Sequence, residues 1–469
     1  MCVFFLFQNA PIMTAQDVIE LINNGSPMDD IRSLIESSNG DIDLDTSVGN
    51  IGLCALHHAV YKNRSDCVQY FVEHGCNINV QDECGFTALH LATKYCRADI
   101  MKQLLQLEAN IDVEDAVGCP ALNLALQNGY EDCAEILLEA GANPNKHYKY
   151  VGYEIHQLQD DTPKCLEMLL KHGADPELRN TRGLTSLHLA IKNANILYVY
   201  TLLQHGADSN AVCYTMTQAH NKRSALHLAV IGAEKGIAEL LLVHGADVNI
   251  RDGLDNTPLH HVAAHGLVDI AQLLINNGAL ISAENDRNYQ PLHRACAASS
   301  NTSMIALLLD NGADTNAMTA MLESPMKLLL RHVAKVSNSS DSSSTFDCRE
   351  GVLLLVNHGA NVTLTTDLND HTNILPYLQA LSENHLLLIY LLLEVVDVMR
   401  ISPDAEQDLL SGLDDHLQEH ILMVSGTPRT LYHLARRTIR RMIGVPCSKH
   451  SIDLLEIPST LKKYLRFEQ

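Results

Sequence analysis

Several kinds of chemistry are missing from this 469-residue sequence, and each absence narrows what the chain does. Its thirteen cysteines never form a CxxC pair, so neither a zinc ribbon nor a disulfide framework is indicated, and a reducing compartment is expected. No glycine-rich phosphate loop, Gly-x-Ser-x-Gly elbow or HExxH helix occurs, so the residues offer no catalytic constellation, and no enzyme, metal or cofactor is expected. Long apolar runs are absent too. Cys2 to Phe7 spans six residues with no positive residue before it, and Leu386 to Leu393 is similarly short, so neither fits a signal peptide or a membrane span. The first reads as a frayed start and the second as a buried repeat helix. The protein is expected to be soluble and cytoplasmic, with the nucleus as the second candidate.

Positive charge is scarce until the end of the chain. The net charge is −23, yet residues 427–469 hold nine Lys and Arg against three Asp and Glu, so the preceding part is more acidic still. Phosphate neutralisation needs clustered Lys and Arg, so nucleic acid is not expected as the ligand of that part. Its acidity either keeps a long surface soluble or attracts a basic protein.

What the sequence does contain is a repeat. The stretch from Ser224 to Asn249 reads SALHLA and then IAELLLVHGADVN. Leu226, Ala229 and Val230 recur at helical spacing, Ile237, Leu240 and Leu241 mark a second helix, and Gly245 stops it. The pattern returns at Leu56, Leu89, Leu122, Ile155, Leu187, Leu226, Leu259, Leu292 and Met326, at intervals of 33, 33, 33, 32, 39, 33, 33 and 34. The T-P-L-H-x-A start and H-G-A-D ending resemble the ankyrin repeat, a helix pair followed by a β-hairpin turn. An array grows by stacking, so the length counts repeats rather than separate cores.

The departures from the pattern carry their own expectations. Residues 14–47 read as a degenerate first repeat, with Ile31, Leu34 and Ile35 on its apolar face and a turn from Asp41 to Leu44 after Gly40. Turns follow at Gly75, Glu108 and Gly141, and Glu108 must take a backbone shape that glycine normally relieves. Between Tyr153 and Gly173 the repeat keeps Ile155 and His156 but has Leu158 where a small residue belongs, so a bend or loosening is expected before the helix begun by Thr162 and Pro163. Gly206 to Leu226 spans 20 residues against 14 for Gly75 to Leu89. The extra six make a longer finger carrying Cys213, Tyr214, Met216 and His220. Repeat insertions collect on loop faces, so this is either a binding finger or a harmless extension. The Ser-rich segment 337–345 reads as a flexible inter-helix loop, and Ile374 to Val398 as a last irregular helix pair.

Seven of the 24 histidines, His57, His90, His156, His188, His227, His260 and His293, share one slot after the repeat's Leu or Ile, and Asn123 fills it once. Five more precede a turn glycine. Recurrence in one slot points to hydrogen bonds that tie repeats together rather than to metal or catalysis. Candidate contacts for a protein substrate are therefore sought at the hairpin tips: Phe86, Tyr289, Arg251 and Asp252, beside Tyr214 and Met216 of the finger. Asp82, Glu83, Asp115 and Asp286 extend that set.

After a helical link bearing Leu409, Leu410, Leu413 and Leu417, the chain reads TPRTLYHLARRTIRRMIG from Thr427 to Gly444. Leu431, Leu434, Ala435, Thr438 and Ile439 form a stripe opposite Arg436, Arg437, Arg440 and Arg441, and Pro446 ends the helix. A second short face carries Leu461, Tyr464 and Leu465. These segments resemble a SOCS box, and the whole chain is similar to the ankyrin repeat and SOCS box family. The resemblance implies that Thr430, Leu431, Ala435 and Ile439 bind elongin C, with Ala435 standing where the family prefers cysteine. It also implies that Leu455, Ile457, Pro458, Leu461 and Leu465 meet a cullin. Glu456 replaces the first proline of the cullin-5 motif, and the looser cullin-2 spacing is satisfied as well, so the choice between the two stays open.

The expected fold is an all-α solenoid. It comprises ten to eleven repeats over residues 14–400, a helical linker over 401–426 and a small helical SOCS box over 427–469. The expected function is the substrate-recognition subunit of a cullin-RING ubiquitin ligase, with elongin B, elongin C, a cullin and its RING subunit as partners. The alternative is a scaffold whose C-terminal helices only cap the array.

Overall fold

The computed structural model describes residues 14–38, 42–49, 51–148, 152–158, 163–214, 222–298, 302–337, 348–365, 373–374, 392 and 398–400. The chain forms two compact units, Met1–Asp208 and Ser209–Gln469. Helices dominate the described residues and strands are confined to short pairs, as the all-α solenoid class requires. No described helix is long and apolar enough to cross a membrane.

The first unit is built of helix pairs. Ala15–Asn23 with Met28–Ser37 opens it, followed by Ala55–Tyr61 with Ser65–Glu73, Ala88–Lys94 with Ala98–Gln106, and Ala121–Gln127 with Glu131–Glu139. A 3₁₀ turn, Glu154–His156, precedes the helix Pro163–Lys171, and Ser186–Lys192 with Ile196–Gln204 closes the unit. The first helix of the chain buries Val18, Ile19 and Ile22, while in its partner only Ile31 is fully buried and Leu34 and Ile35 are half-buried. The second unit begins with the antiparallel strands Val212–Tyr214 and Lys222–Ser224, which pair Val212 with Ser224 and Tyr214 with Lys222. Its helix pairs are Ala225–Ile231 with Lys235–Val243, Pro258–His265 with Val268–Asn276, Pro291–Ala298 with Thr302–Asp310, and Pro325–Ser337 with Cys348–Asn357.

Most first helices have only seven or eight residues, too short to persist alone, so capping and burial hold them. Leu56, Leu89, Leu122, Leu187, Leu226, Leu259 and Leu292 are all 2% exposed or less. Each such side chain contributes roughly 1.5–3 kcal/mol of burial free energy. At the far end of the later pairs a left-handed residue turns the chain: Gly75 has φ 93°, Gly141 95° and Gly245 84°. Glu108 takes the same shape with φ 63°, as its position in the repeat requires.

Asparagines then stitch neighbours together beside these turns. Asn145, Asn249 and Asn316 each donate a side-chain amide N–H to the turn-glycine carbonyl of the following repeat, Gly173, Gly278 and Gly359, at 2.7, 3.1 and 2.9 Å. Each also accepts a backbone N–H just beyond it, from Asp175, Leu280 and Asn361.

Three regions depart from regular repeats. The Ile155 repeat keeps its apolar anchor buried at 4%, but its first helix contracts to one 3₁₀ turn, which is the loosening expected around Leu158; Thr162 lies outside the described residues. The long finger is a β-hairpin at its base, and Met216 and His220 lie outside the described residues. The expected helix pair from Ile374 to Val398 needs correction at its C-terminal end. Val398 opens a strand, Val398–Arg400, that runs parallel to Thr363–Thr365, and Asn373 forms a parallel bridge with Thr363. The rest of that pair lies outside the described residues except Leu392, and so do most of the Ser-rich segment and everything from residue 401 onward, including the SOCS box positions.

Candidate functional site

The repeated histidine is a fastener. In the Thr257 repeat, the backbone N–H and hydroxyl of Thr257 both donate to His260 Nδ1, at 3.0 and 2.9 Å. That fixes the proton on Nε2, which donates to the Tyr289 carbonyl of the next repeat at 2.8 Å. His90 uses Thr87 and Cys119 in the same way, His227 uses Ser224 and Asn256, and His293 uses Gln290 and Ala317. One imidazole thus caps its own helix and joins two repeats. Burial lowers the pKa of His90 and His293, and takes His227 and His260 down to about 4, so these rings are neutral at physiological pH.

The first of these slots has different chemistry. Cys54 replaces the hydroxyl residue, and its Sγ lies 3.3 Å from His57 Nδ1. Neighbouring Cys76 and His57 overcome burial and lower the Cys54 thiol below its ordinary value. Burial pulls His57 down, but Cys54, with the Asp82 charge and the Val80 carbonyl, leaves His57 above its ordinary value. A Cys–His pair of this kind is the start of a nucleophile, yet both residues are completely buried and a substrate has no approach.

One described cluster has the composition of a metal site. His227, Asp252 and His261 bring donor atoms within 4.8 Å of one another. Both nitrogens of His227 are already committed, to Ser224 and to the Asn256 carbonyl. His261 Nε2 donates to Asp252 Oδ2 at 2.7 Å, while Asp252 Oδ1 accepts from Leu254 N and Asn256 N. Burial would raise the Asp252 carboxyl, but His261 and these N–H groups hold it well below the usual carboxylate range. The cluster braces a turn, and a metal would have to displace those bonds.

The same brace builds the hairpin tips. Asp82, Asp115, Asn180, Asp252 and Asn285 each accept, through one oxygen, the backbone N–H groups two and four residues on. Asp82 and Asp252 are consequently 8% and 9% exposed, and their carboxylates serve their own turns. Arg251 is exposed but donates Nη1 to the Glu284 carbonyl of the next tip at 2.7 Å. Phe86 is half-buried, stacked on His90 with ring centroids 5.8 Å apart and with Lys94 5.1 Å over its face. Tyr289 is half-buried beside His293, while Glu83, Asp286 and the finger base at Tyr214 belong to the hairpin row.

Backbone bonds run from tip to tip within each unit. Glu83 N donates to Ile51 O and Ala116 N to Cys84 O in the first; Gly253 N to Lys222 O, Asp286 N to Leu254 O and Ala320 N to Arg287 O in the second. The side chains this ribbon leaves outermost are ones the sequence reading missed. Ile51 and Val117 are 54% and 65% exposed in the first unit, and Leu254 and Met321 are 42% and 73% exposed in the second. Their signal was available. They stand on the solvent side of a turn, where an apolar residue gains nothing from the fold. Each tip row therefore combines rigid backbone, apolar points and flanking charge, a surface suited to another protein rather than to a small molecule.

Comparison with known proteins agrees with this architecture. The family description "Ankyrin repeats (3 copies)" matches residues 19–115, 56–148, 157–252 and 231–319, and "SOCS box" matches 427–466. NF-kappa-B inhibitor alpha of Rattus norvegicus is 35% identical over 90 residues, 19% of this chain and 29% of that protein. The B-cell lymphoma 3 protein homolog of Mus musculus is 31% identical over 136 residues, 28% of this chain and 29% of that protein. The chain spans less than a third of the length of these relatives.

Proposed function

We propose, from the premise that this chain belongs to the ankyrin repeat and SOCS box family, that it is the substrate-recognition subunit of a cullin-RING ubiquitin ligase. Ankyrin repeats bind protein partners and a SOCS box links its carrier to elongin and cullin ligases; both are adaptor modules rather than catalytic ones. The observation that carries the proposal is the presence of both modules in one chain, with the SOCS box match at residues 427–466 following the repeats. In this reading residues 14–400 form the array, 401–426 the link and 427–469 the docking box. Thr430, Leu431, Ala435 and Ile439 meet elongin C, with elongin B bound to it. Leu455, Ile457, Pro458, Leu461 and Leu465 meet cullin 5, or cullin 2 if Glu456 disfavours the first.

The substrate lies along the hairpin tips, touching Phe86, Tyr289, Arg251 and the finger residues Tyr214 and Met216, while Asp252 holds the turn beside them. An acidic chain favours a basic protein there. The contribution to catalysis is proximity: a lysine held near the charged ubiquitin carrier reacts at high effective concentration without new chemistry. The cytoplasm or nucleus is the compartment that suits free cysteines.

The test is Leu431→Ala combined with Ile439→Ala in the full chain. Each substitution removes an interface anchor of about 2 kcal/mol, so elongin C capture should be lost while circular dichroism stays unchanged. Undiminished capture by the folded double variant would return the tail to the role of a cap on a scaffold.

A further inference from the structure

Two cysteines of the first unit occupy slots that never both carry sulfur elsewhere in it. Cys96 sits in the turn between the helices Ala88–Lys94 and Ala98–Gln106, with φ 51°. Asn63, Gly129 and Ala194 hold the same left-handed slot at φ 59°, 69° and 54°. That backbone favours glycine or asparagine, so the turn itself gives no reason for a cysteine. Cys133 is the third residue of the helix Glu131–Glu139, a core slot filled by Cys67, Ile100 and Cys165 in neighbouring repeats. Where Asn63 faces the sequence position of Ile100, and Gly129 that of Cys165, only Cys96 is matched by sulfur on both sides.

The two thiols meet at one cavity of about 320 Å³, lined by Cys96, Tyr130, Glu131 and Cys133 among others. Cys96 is exposed and Cys133 is 2% exposed, and both line this one cavity. An oxidant in the cavity thus reaches Cys96 first, and a second thiol lines the same cavity.

We propose that Cys96 and Cys133 form a redox-modification site, in which hydrogen peroxide oxidises Cys96 and Cys133 resolves it as a disulfide tying the third repeat to the fourth. In the first step the Cys96 sulfur attacks the peroxide, the O–O bond breaks, and Cys96 sulfenic acid and one water result. In the second the Cys133 sulfur attacks that of the sulfenic acid, the S–O bond breaks, and the hydroxyl leaves as a second water with the Cys133 proton. The two thiols give up two electrons and two protons, and one peroxide becomes two waters. Burial holds the Cys133 thiol above its ordinary value, so it stays a thiol until the sulfenic acid is there to be attacked. The sulfurs must close to roughly 2 Å, a movement a turn residue can supply. A bond at an exposed turn is also one that a thiol reductant can reach and reverse.

The test treats the full-length reduced protein with hydrogen peroxide, blocks free thiols and maps peptides by mass spectrometry without reduction. The expected product is a Cys96–Cys133 linked peptide, at least tenfold depleted by dithiothreitol and missing from Cys96→Ser. In Cys133→Ala the Cys96 sulfenic acid should persist, raising capture by a cyclic 1,3-dione about tenfold. Should that variant fail to fold, the linked peptide from the unsubstituted chain decides alone. Cys96 that remains alkylated at its original rate, that proceeds to sulfonic acid without a link, or that joins a second molecule instead would overturn the proposal.

Discussion

The junction made by His260 and the junction made by Asn123 do the same mechanical job with opposite electrostatics. His260 reaches from its own cap at Thr257 to the Tyr289 carbonyl with both ring nitrogens bonded. Asn123 occupies the equivalent slot with a shorter side chain, and the next repeat reaches back to it: its Nδ2 donates to Glu154 Oε2 at 2.7 Å. Asn123 Oδ1 and Glu154 Oε1 are left with no hydrogen-bond partner, although both residues are completely buried. The comparison shows how a repeat tolerates a lost histidine. A carboxylic acid replaces the missing ring, and burial, against the Asn123 amide, raises Glu154 to about 7 so that the acid can stay protonated. The same place has the 3₁₀ turn instead of a helix.

The largest expected effect comes from removing the better junction. His260→Ala should lower unfolding free energy by about 4 kcal/mol, because it leaves a cavity and strips partners from the Thr257 N–H and the Tyr289 carbonyl. Denaturant unfolding measures it, and a loss below about 1 kcal/mol would remove the fastener from the account. The pH sign is fixed as well. His260 has a folded pKa near 4, below the ordinary 6.5, so its contribution is full above 6.5 and is lost as pH falls through that window.

The second effect has the reverse sign. Glu154 has a folded pKa of about 7 against an ordinary 4.5, so its protonated form is favoured by folding. Its contribution is full below 4.5 and is lost as pH rises toward 7, by about 3 kcal/mol if the whole shift acts on stability. Glu154→Gln keeps an acceptor for Asn123 and removes the ionisation. It should raise the melting temperature at pH 8, leave it nearly unchanged at pH 4.5, and flatten the profile between them. Equal pH profiles for the variant and its parent would mean that Glu154 is ionised in place and that the junction is held differently.

How much of this was legible depended on the range of the cause. The 33-residue period, the capped first helices and the left-handed Glu108 follow from local residue choice, and all were readable. His260 was readable as a fastener because it recurs. Glu154 was not, since its meaning lies in a partner 31 residues away that occurs once. Among the candidate contacts, Asp82 and Asp252 stand in hairpin tips and read as outward-facing charge. Their short side chains instead fold back onto N–H groups two and four residues on, a turn chemistry that spacing signals but that was weighed as surface. The parallel strand at Val398–Arg400 pairs with a segment more than thirty residues earlier, beyond the reach of any local pattern.

The smallest expected effect sharpens the comparison at the cap itself. The caps at His90 and His260 use threonine hydroxyls, whereas the cap at His57 uses the Cys54 thiol. Cys54→Thr should restore the ordinary cap, and since threonine is a strong N-cap residue, stability should change by less than about 1 kcal/mol in either direction. The proton inventory should change far more. Burial lowers His57 while Cys54, Asp82 and the Val80 carbonyl raise it, so a hydroxyl in place of the thiol removes the largest of the raising causes and should bring His57 below its ordinary value, as in His90. Imidazole NMR titration of the variant reads this directly. A His57 that stays raised with threonine at position 54 would move the cause to Asp82, whose charge also favours the protonated ring, and the thiol would then be only a weaker copy of the hydroxyl it replaces.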